Sequence, residues 1–300
     1  MRAGLHHLAG EQPFTPYPRV HVTNESIFVQ VLKKDIESER TSLPIFDSVS
    51  LRIQLELTKK EPNARTIEKL ISGDQSLSSN ILKVANSSMY QGLVATTTVK
   101  SALIRLGMSE VTRIVFTDIS KKMFRSRDNQ IDVIMKRLWQ HSMGCAFAAG
   151  MLSNCLDFGV MQHEAFSAGL FHDIGKLLIL KVIVEKKHKN KTLVVPDDVL
   201  LGAMDLLHAE QGYLLLRQIQ MPESVAVVAR DHHLPDFDPD NYILVLVRMA
   251  NHICHQMAIG LKHDPSIDLL ALEEANHIRL SPADLEKVQH FLATTSGLFA

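Results

Sequence analysis

The sequence predicts an all-α protein, and three observations carry that prediction. From Asn24 onward the apolar residues recur at helical spacing. Alternating apolar and polar runs and Asn-Gly hairpin turns do not occur, and the one β-branched run, Val182-Ile183-Val184, sits inside a helical pattern. The connections between successive apolar faces are short, as in a compact multi-helix bundle.

Taken in order, Met1 to Thr23 is punctuated by proline without periodicity and reads as a loose arm. Ile27, Val31 and Leu32 give a short apolar face, and Val49, Ile53 and Leu57 the next, with Asp47 as its cap and Pro62 closing it. Asn63 can cap a helix carrying Ile67, Leu70 and Ile71, with Gly73 in the left-handed position that ends many helices. Asp74 can cap a helix with Leu77, Ile81 and Val84. Thr98 precedes Val99, Ala102, Leu103 and Leu106, which Gly107 should stop before Val111, Ile114, Val115 and Ile119. The second half has longer helices: Ile131 to Leu156, Glu164 to about Glu185 with a break near Gly175, and Asp197 to Ile219. Pro222 suits the first turn of a helix running toward His233. Asn241 to Ile259 is strongly apolar, and Ser281-Pro282 opens a last amphipathic helix. This divides the chain into the arm 1–23, an N-terminal helical half 24–125, a second helical half 126–260 and an extension 261–300.

Composition removes several functions. The 300 residues are 46% hydrophobic and 22% charged, the balance of a globular protein and not of a disordered one. Lys+Arg of 32 against Asp+Glu of 33 offers no basic excess to a phosphate backbone, so a nucleic-acid partner is not expected. No apolar run approaches the ~18–20 residues of a membrane span, and the first residues lack the apolar core of a secretory signal. Three cysteines, Cys145, Cys155 and Cys254, make neither a disulfide framework nor a cysteine-rich zinc site. They suit a reducing compartment, and a cytoplasmic location is expected. Cys145 and Cys155 read as small core residues of one helix.

The histidines are the anomaly. Of 15, 12 fall after residue 140, and none lies between His21 and His141. Five stations in that half suggest a metal: His141, the pair His172-Asp173, His208, the pair His232-His233, and Asn251. Each lies on a different predicted helix. A bundle that aims one or two imidazoles or carboxylates per helix at a common centre can build an N/O site for one or two transition ions. Taken singly, a helical histidine is ordinarily a surface or hydrogen-bonded core residue. Asp173, however, lies in the apolar stretch Ala168-Gly169-Leu170-Phe171-His172-Asp173-Ile174-Gly175-Lys176, where an unpaired carboxylate would be expensive to bury. A cation is one partner for it; Lys176 or a protonated histidine is the other. The basic run Lys186 to Lys191 reads as a solvated loop.

Leu170-Phe171-His172-Asp173-Ile174-Gly175-Lys176 resembles the core signature of the HD-superfamily metal-dependent phosphohydrolases. The whole chain from about Thr41 to Gly260 is similar to the HDOD branch, the HD-related output domains of bacterial signalling. The similarity runs through Leu43-Pro44, Ile71-Ser72-Gly73-Asp74, Ala85-Asn86-Ser87, Arg105-Leu106-Gly107, Leu138-Trp139-Gln140-His141, His208-Ala209-Glu210-Gln211-Gly212, Met221-Pro222-Glu223 and Asp231-His232-His233. It implies an all-helical signalling output module that works with a protein partner, many of whose relatives lack the metal ligands and are presumed non-catalytic. This chain keeps His141, His172, Asp173, His208, His232 and His233 at positions matching ligands of the catalytic relatives. Asn251 stands where the closing aspartate would be; His255, four residues on, shares its face and could substitute. The resemblance implies one or two divalent ions, iron or manganese ahead of zinc or nickel. After His233 comes Leu234-Pro235-Asp236-Phe237, without a Gly-Tyr-Pro element, which disfavours a cyclic di-guanylate hydrolase of the HD-GYP kind. Two functions stand at this level. One is a signalling module with a metal site and little or no catalysis. The other is a phosphohydrolase acting on a nucleotide or another phosphoester, in which Asp173 and Lys176 would be catalytic.

Overall fold

The structure is a computed structural model that describes residues 26–39, 52–53, 56, 62–90, 92, 94–156, 158 and 161–295. Among the described residues it is helical, without a strand. The expected arm 1–23, the cap Asp47, the block Leu43-Pro44 and the apolar positions Val49 and Leu57 lie outside the described residues.

Helix α1 spans Ile27–Glu39 and buries Val29, Leu32 and Ile36, while Ile27 and Val31 face solvent. The expected face through Ile27 and Val31 is therefore wrong by about one residue. Short apolar runs fit two registers, and packing chooses. The chosen face lies on two helices of the second half, Ile174–Lys189 and Asp197–Gln218. Helices α2 (Ala64–Ser72) and α3 (Gln75–Ala85) follow, with α4 (Val99–Met123) packed on both. Asn63 caps α2, its side chain accepting from the backbone N–H groups of Arg65 and Thr66, and Asp74 caps α3 by accepting from Leu77. Gly73 is not left-handed but right-handed, at φ −77°, because the chain turns directly into the next helix. Gly107, at φ +76°, interrupts α4 where a stop was expected, so α4 is two helical pieces in sequence.

Helix α5 (Asn129–Cys155) is the axis of the second half. Packed against it are α6 (Gln162–Phe171), α10 (Tyr242–Gln256) and α12 (Pro282–Thr295), while α7 (Ile174–Lys189), α8 (Asp197–Gln218) and α9 (Glu223–Asp231) follow one another around the core. The short α11 (Glu273–His277), which carries no strong sequence signal, packs on α10. The break expected near Gly175 falls instead at His172-Asp173, and Gly175 lies in the first turn of α7. Pro222 is the residue before α9 and not inside its first turn. Lys186 to Lys189 form the last turn of α7, with Lys186 on Asp35 at 2.5 Å and Lys187 on Asp128 at 2.8 Å, so most of that basic run is not a loop. No described helix is long and apolar enough to cross a membrane.

Candidate metal centre

The second-half helices converge on one carboxylate. Asp173 is 2% exposed, at the corner where α6 hands over to α7, so His172 and Asp173 end one helix and begin the next. His141 projects from α5, His208 from α8, and His232 follows the last residue of α9. None of these histidines is more than 4% exposed.

Close helix approach makes the convergence geometrically feasible. A Cβ on Gly175 would stand 2.0 Å from the carbonyl oxygen of His208, so only glycine lets α7 touch the α8 backbone beside the site. At the far side α10 ends in a turn with Ala258 at φ +59°, where Ile259 donates its N–H back to Cys254 at 2.8 Å. That turn delivers the Ile259 carbonyl to His141. Gly260, at φ +115°, passes so close that a Cβ would lie 2.6 Å from that of His141.

The backbone also fixes the tautomers. Nδ1 of His172 faces the carbonyl of Gly169 at 2.7 Å, that of His208 faces Met204 at 2.7 Å, that of His232 faces Ala229 at 3.0 Å, and that of His141 faces Ile259 at 3.1 Å. A carbonyl oxygen only accepts, so each Nδ1 carries the proton and donates, and each Nε2 is left as a lone pair. Burial pushes His141 down to about 3 and His172 to about 4, and it drives His208 well below the ordinary imidazole range. These three rings are neutral near pH 7.

Four bare nitrogens therefore surround a carboxylate. Oδ2 of Asp173 is 3.6 Å from His141 Nε2 and 3.5 Å from His172 Nε2; Oδ1 is 3.3 Å from His208 Nε2 and 3.5 Å from His232 Nε2. The Nε2 atoms of His208 and His232 face each other at 3.4 Å. Lone pairs opposed at these distances repel unless something positive lies among them. The buried atoms Asp173 Oδ1 and His172 Nε2 have no hydrogen-bond partner. Donors bound to one tetrahedral cation at about 2.0–2.2 Å sit roughly 3.3–3.6 Å apart, the spacing observed. On these grounds the residues fit a divalent ion. Lys176 supplies one positive charge, its Nζ donating to Oδ2 at 2.7 Å. Burial pushes the Asp173 carboxyl up, but Lys176 and the imidazoles outweigh it and hold the group well below the usual carboxylate range. Both partners the sequence offered for Asp173 are thus compatible with its surroundings, since Lys176 reaches only one oxygen.

The two oxygens divide the cluster. Asp173, His208, His232 and the exposed His233 form one group of donors that could hold an ion; His141, Cys145 and His172 form another. Asn251 is buried on α10 and His255 lies one turn beyond it, its ring stacked on His141 at 5.3 Å and 10°. The sequence reading took Cys145 for a core residue, which its burial bears out, but did not weigh it as a donor, although its position four residues after His141 places both on one helix face. Burial pushes its thiol up, reinforced by a hydrogen bond with Cys254. It also missed a clamp on the His232-His233 segment. Arg248 donates to the carbonyls of His232 at 2.9 Å and Leu234 at 2.8 Å, and is itself held by Glu274 at 2.8 Å. Glu274 comes from α11, which had no visible pattern.

The fold and this buried histidine–carboxylate cluster define an all-helical protein with a candidate metal centre in its second half. The HDOD domain family model matches residues 43–235, and the chain belongs to the HDOD family. An uncharacterized protein of Treponema pallidum (strain Nichols) is 24% identical over 227 residues, covering 73% of this chain and 44% of its own, so the chain spans less than half of that relative. A structure from Shewanella amazonensis SB2B, assigned by name to the metal-dependent phosphohydrolases, has a TM-score of 0.67 at 19% identity, covering 92% of this chain and 99% of its own. One from Marinobacter aquaeolei VT8, assigned by name to signal transduction, has a TM-score of 0.66 at 17% identity, covering 92% and 66%. Both similarities concern the fold.

Proposed function

We propose that this chain is a signalling output module whose second half holds one or two divalent transition ions on His141, His172, Asp173, His208, His232 and His233, and that it acts through a protein partner with little or no catalysis. The observation that carries the metal is the set of four imidazoles, each committed by a backbone carbonyl to presenting a bare Nε2 to one buried carboxylate. Family membership and the signalling name of a structural neighbour support the regulatory role. So does Asn251, an amide that brings no charge and cannot act as a general base.

One observation favours a second reading, hydrolysis of a phosphoester. His233 is exposed while its neighbours His208 and His232 are buried, so that donor group opens toward solvent. A divalent ion, when bound, lowers the pKa of water and polarises a phosphoryl oxygen. The chain's own part would be to fix neutral imidazoles, hold Asp173 ionised and place the Lys176 ammonium where it can meet a phosphate.

Elemental analysis of protein purified without chelator or histidine tag tests the proposal. One or two equivalents of iron, manganese, zinc or nickel are expected, and less than a tenth of that in His172→Ala/Asp173→Ala. Absence of stoichiometric metal from the unsubstituted protein, even after incubation with each ion, would refute the site. Turnover of a generic phosphodiester by the loaded protein, abolished by Asp173→Ala, would move the conclusion to the second reading.

A further inference from the structure

The donor group around His141 raises a question of charge. Among the described residues of the two groups Asp173 is the one carboxylate, and Lys176 already takes one of the lone pairs on its Oδ2. Asn251 adds none. A divalent ion beside His141 and His172 would then be met by neutral nitrogens and a shared, half-neutralised carboxylate. The structure places another donor at this position. Cys145 lies one turn beyond His141 on α5, buried, with Sγ 3.6 Å from His141 Nε2 and its ligand atom within 4.8 Å of those of His141 and His172. A sulfur and a nitrogen bound to one tetrahedral zinc, at about 2.3 and 2.0–2.1 Å, are separated by roughly 3.5 Å. His172 Nε2, fully buried and without a hydrogen-bond partner, faces the same space.

We infer that Cys145 is a metal ligand, and that a thiolate makes up the charge withheld by Asn251, giving a site of two histidines, one carboxylate oxygen and one sulfur. This rests on the metal-binding reading above. Without an ion, the Cys145 thiol lies where its S–H can donate to the bare Nε2 of His141. Binding exchanges that proton for the ion: the S–H bond breaks, bonds from the ion to sulfur and nitrogen form, and the proton leaves to solvent. Cys254 lies in hydrogen-bond contact with Cys145 and is the other sulfur near the site. A thiolate is a soft donor, so this site selects zinc or iron over manganese.

Cobalt(II) is the probe, added under reducing conditions to full-length protein stripped by a chelator. The expected spectrum has a near-ultraviolet sulfur-to-cobalt charge-transfer band. That band should vanish in Cys145→Ser and persist in Cys254→Ala and Cys155→Ala. If Cys145→Ser does not fold, persistence of the band in Cys254→Ala and Cys155→Ala each still supports Cys145 by elimination. Stoichiometric cobalt with visible ligand-field bands but no charge-transfer band would overturn the inference and leave the metal site standing. A band lost in Cys254→Ala but kept in Cys145→Ser would overturn it in favour of the other sulfur. No bound cobalt would defeat both the inference and the reading beneath it.

Discussion

At the scale of single residues, the pair Asp173 and Lys176 decides how the cluster survives burial. The carboxylate is 2% exposed and the ammonium-bearing residue 7%, and Nζ lies 2.7 Å from Oδ2. Removing one member of such a pair costs roughly 3–5 kcal/mol, because the other is left as an uncompensated buried charge. The loss should depend on what else can face the carboxylate. In Lys176→Met the hydrocarbon part of the side chain is retained, and the remaining counter-charge for Asp173 is a bound ion. Urea unfolding in chelator should therefore show the full penalty, and the same measurement in excess zinc should recover most of it. Wild-type protein, which keeps its ammonium, should gain less from zinc than the variant does. Equal gains in both would mean that the ion does not contact Asp173.

At the scale of elements, the site is a product of helix contacts, and its weakest point is a glycine. A Cβ at Gly175 would stand 2.0 Å from the His208 carbonyl and 2.8 Å from the Gly212 nitrogen, both of them backbone. Backbone cannot rotate aside, so Gly175→Ala must force α7 away from α8. Overpacking of this kind costs about 1–3 kcal/mol, and more where nothing yields. The same shift moves Asp173 away from His208, so metal content should fall together with the thermal midpoint. An alanine variant that keeps wild-type metal content and stability would show that α7 and α8 do not need this approach. The two glycines illustrate what a sequence reveals. Gly107 was legible as a break because its neighbours on both sides form separate apolar faces. Gly175 was misread as a break because its purpose is contact with a helix 33 residues away, which no local pattern encodes. The caps Asn63 and Asp74 were legible for the opposite reason, since a cap is satisfied within three residues. Six residues of the candidate cluster were named from the motif and its spacing, and the fold sets them in the two donor groups. Cys145 and the Arg248–Glu274 clamp were not, because a thiol and an ion pair acquire meaning only from what the fold sets beside them.

At the scale of the whole molecule, the cluster makes stability depend on pH in a definite direction. His141 and His172 are held near 3 and 4 in the folded chain, and His208 well below its ordinary value, all chiefly by burial. In the unfolded chain each returns to about 6.5. Between those values the unfolded state binds protons that the folded state refuses, so stability is fully present above pH 6.5 and falls as the pH drops below it. One unit below 6.5 each ring that refuses its proton in the folded chain contributes a loss on the order of 1 kcal/mol, so the rings together account for a few kcal/mol. That is a large share of the 5–15 kcal/mol typical of a folded domain. Asp173 does not oppose the trend. Its lowered pKa confers stability that is present above about 3.8 and is lost only as the pH falls further toward the folded value, so it is constant across this window. Urea unfolding of chelated protein at pH 7.5, 6.5 and 5.5 should show a small upper step and a lower one about three times as large. A stability unchanged at pH 5.5 would mean that these rings take up protons as freely in the folded chain as in the unfolded one. They would then not be the buried, neutral donors on which the metal centre depends.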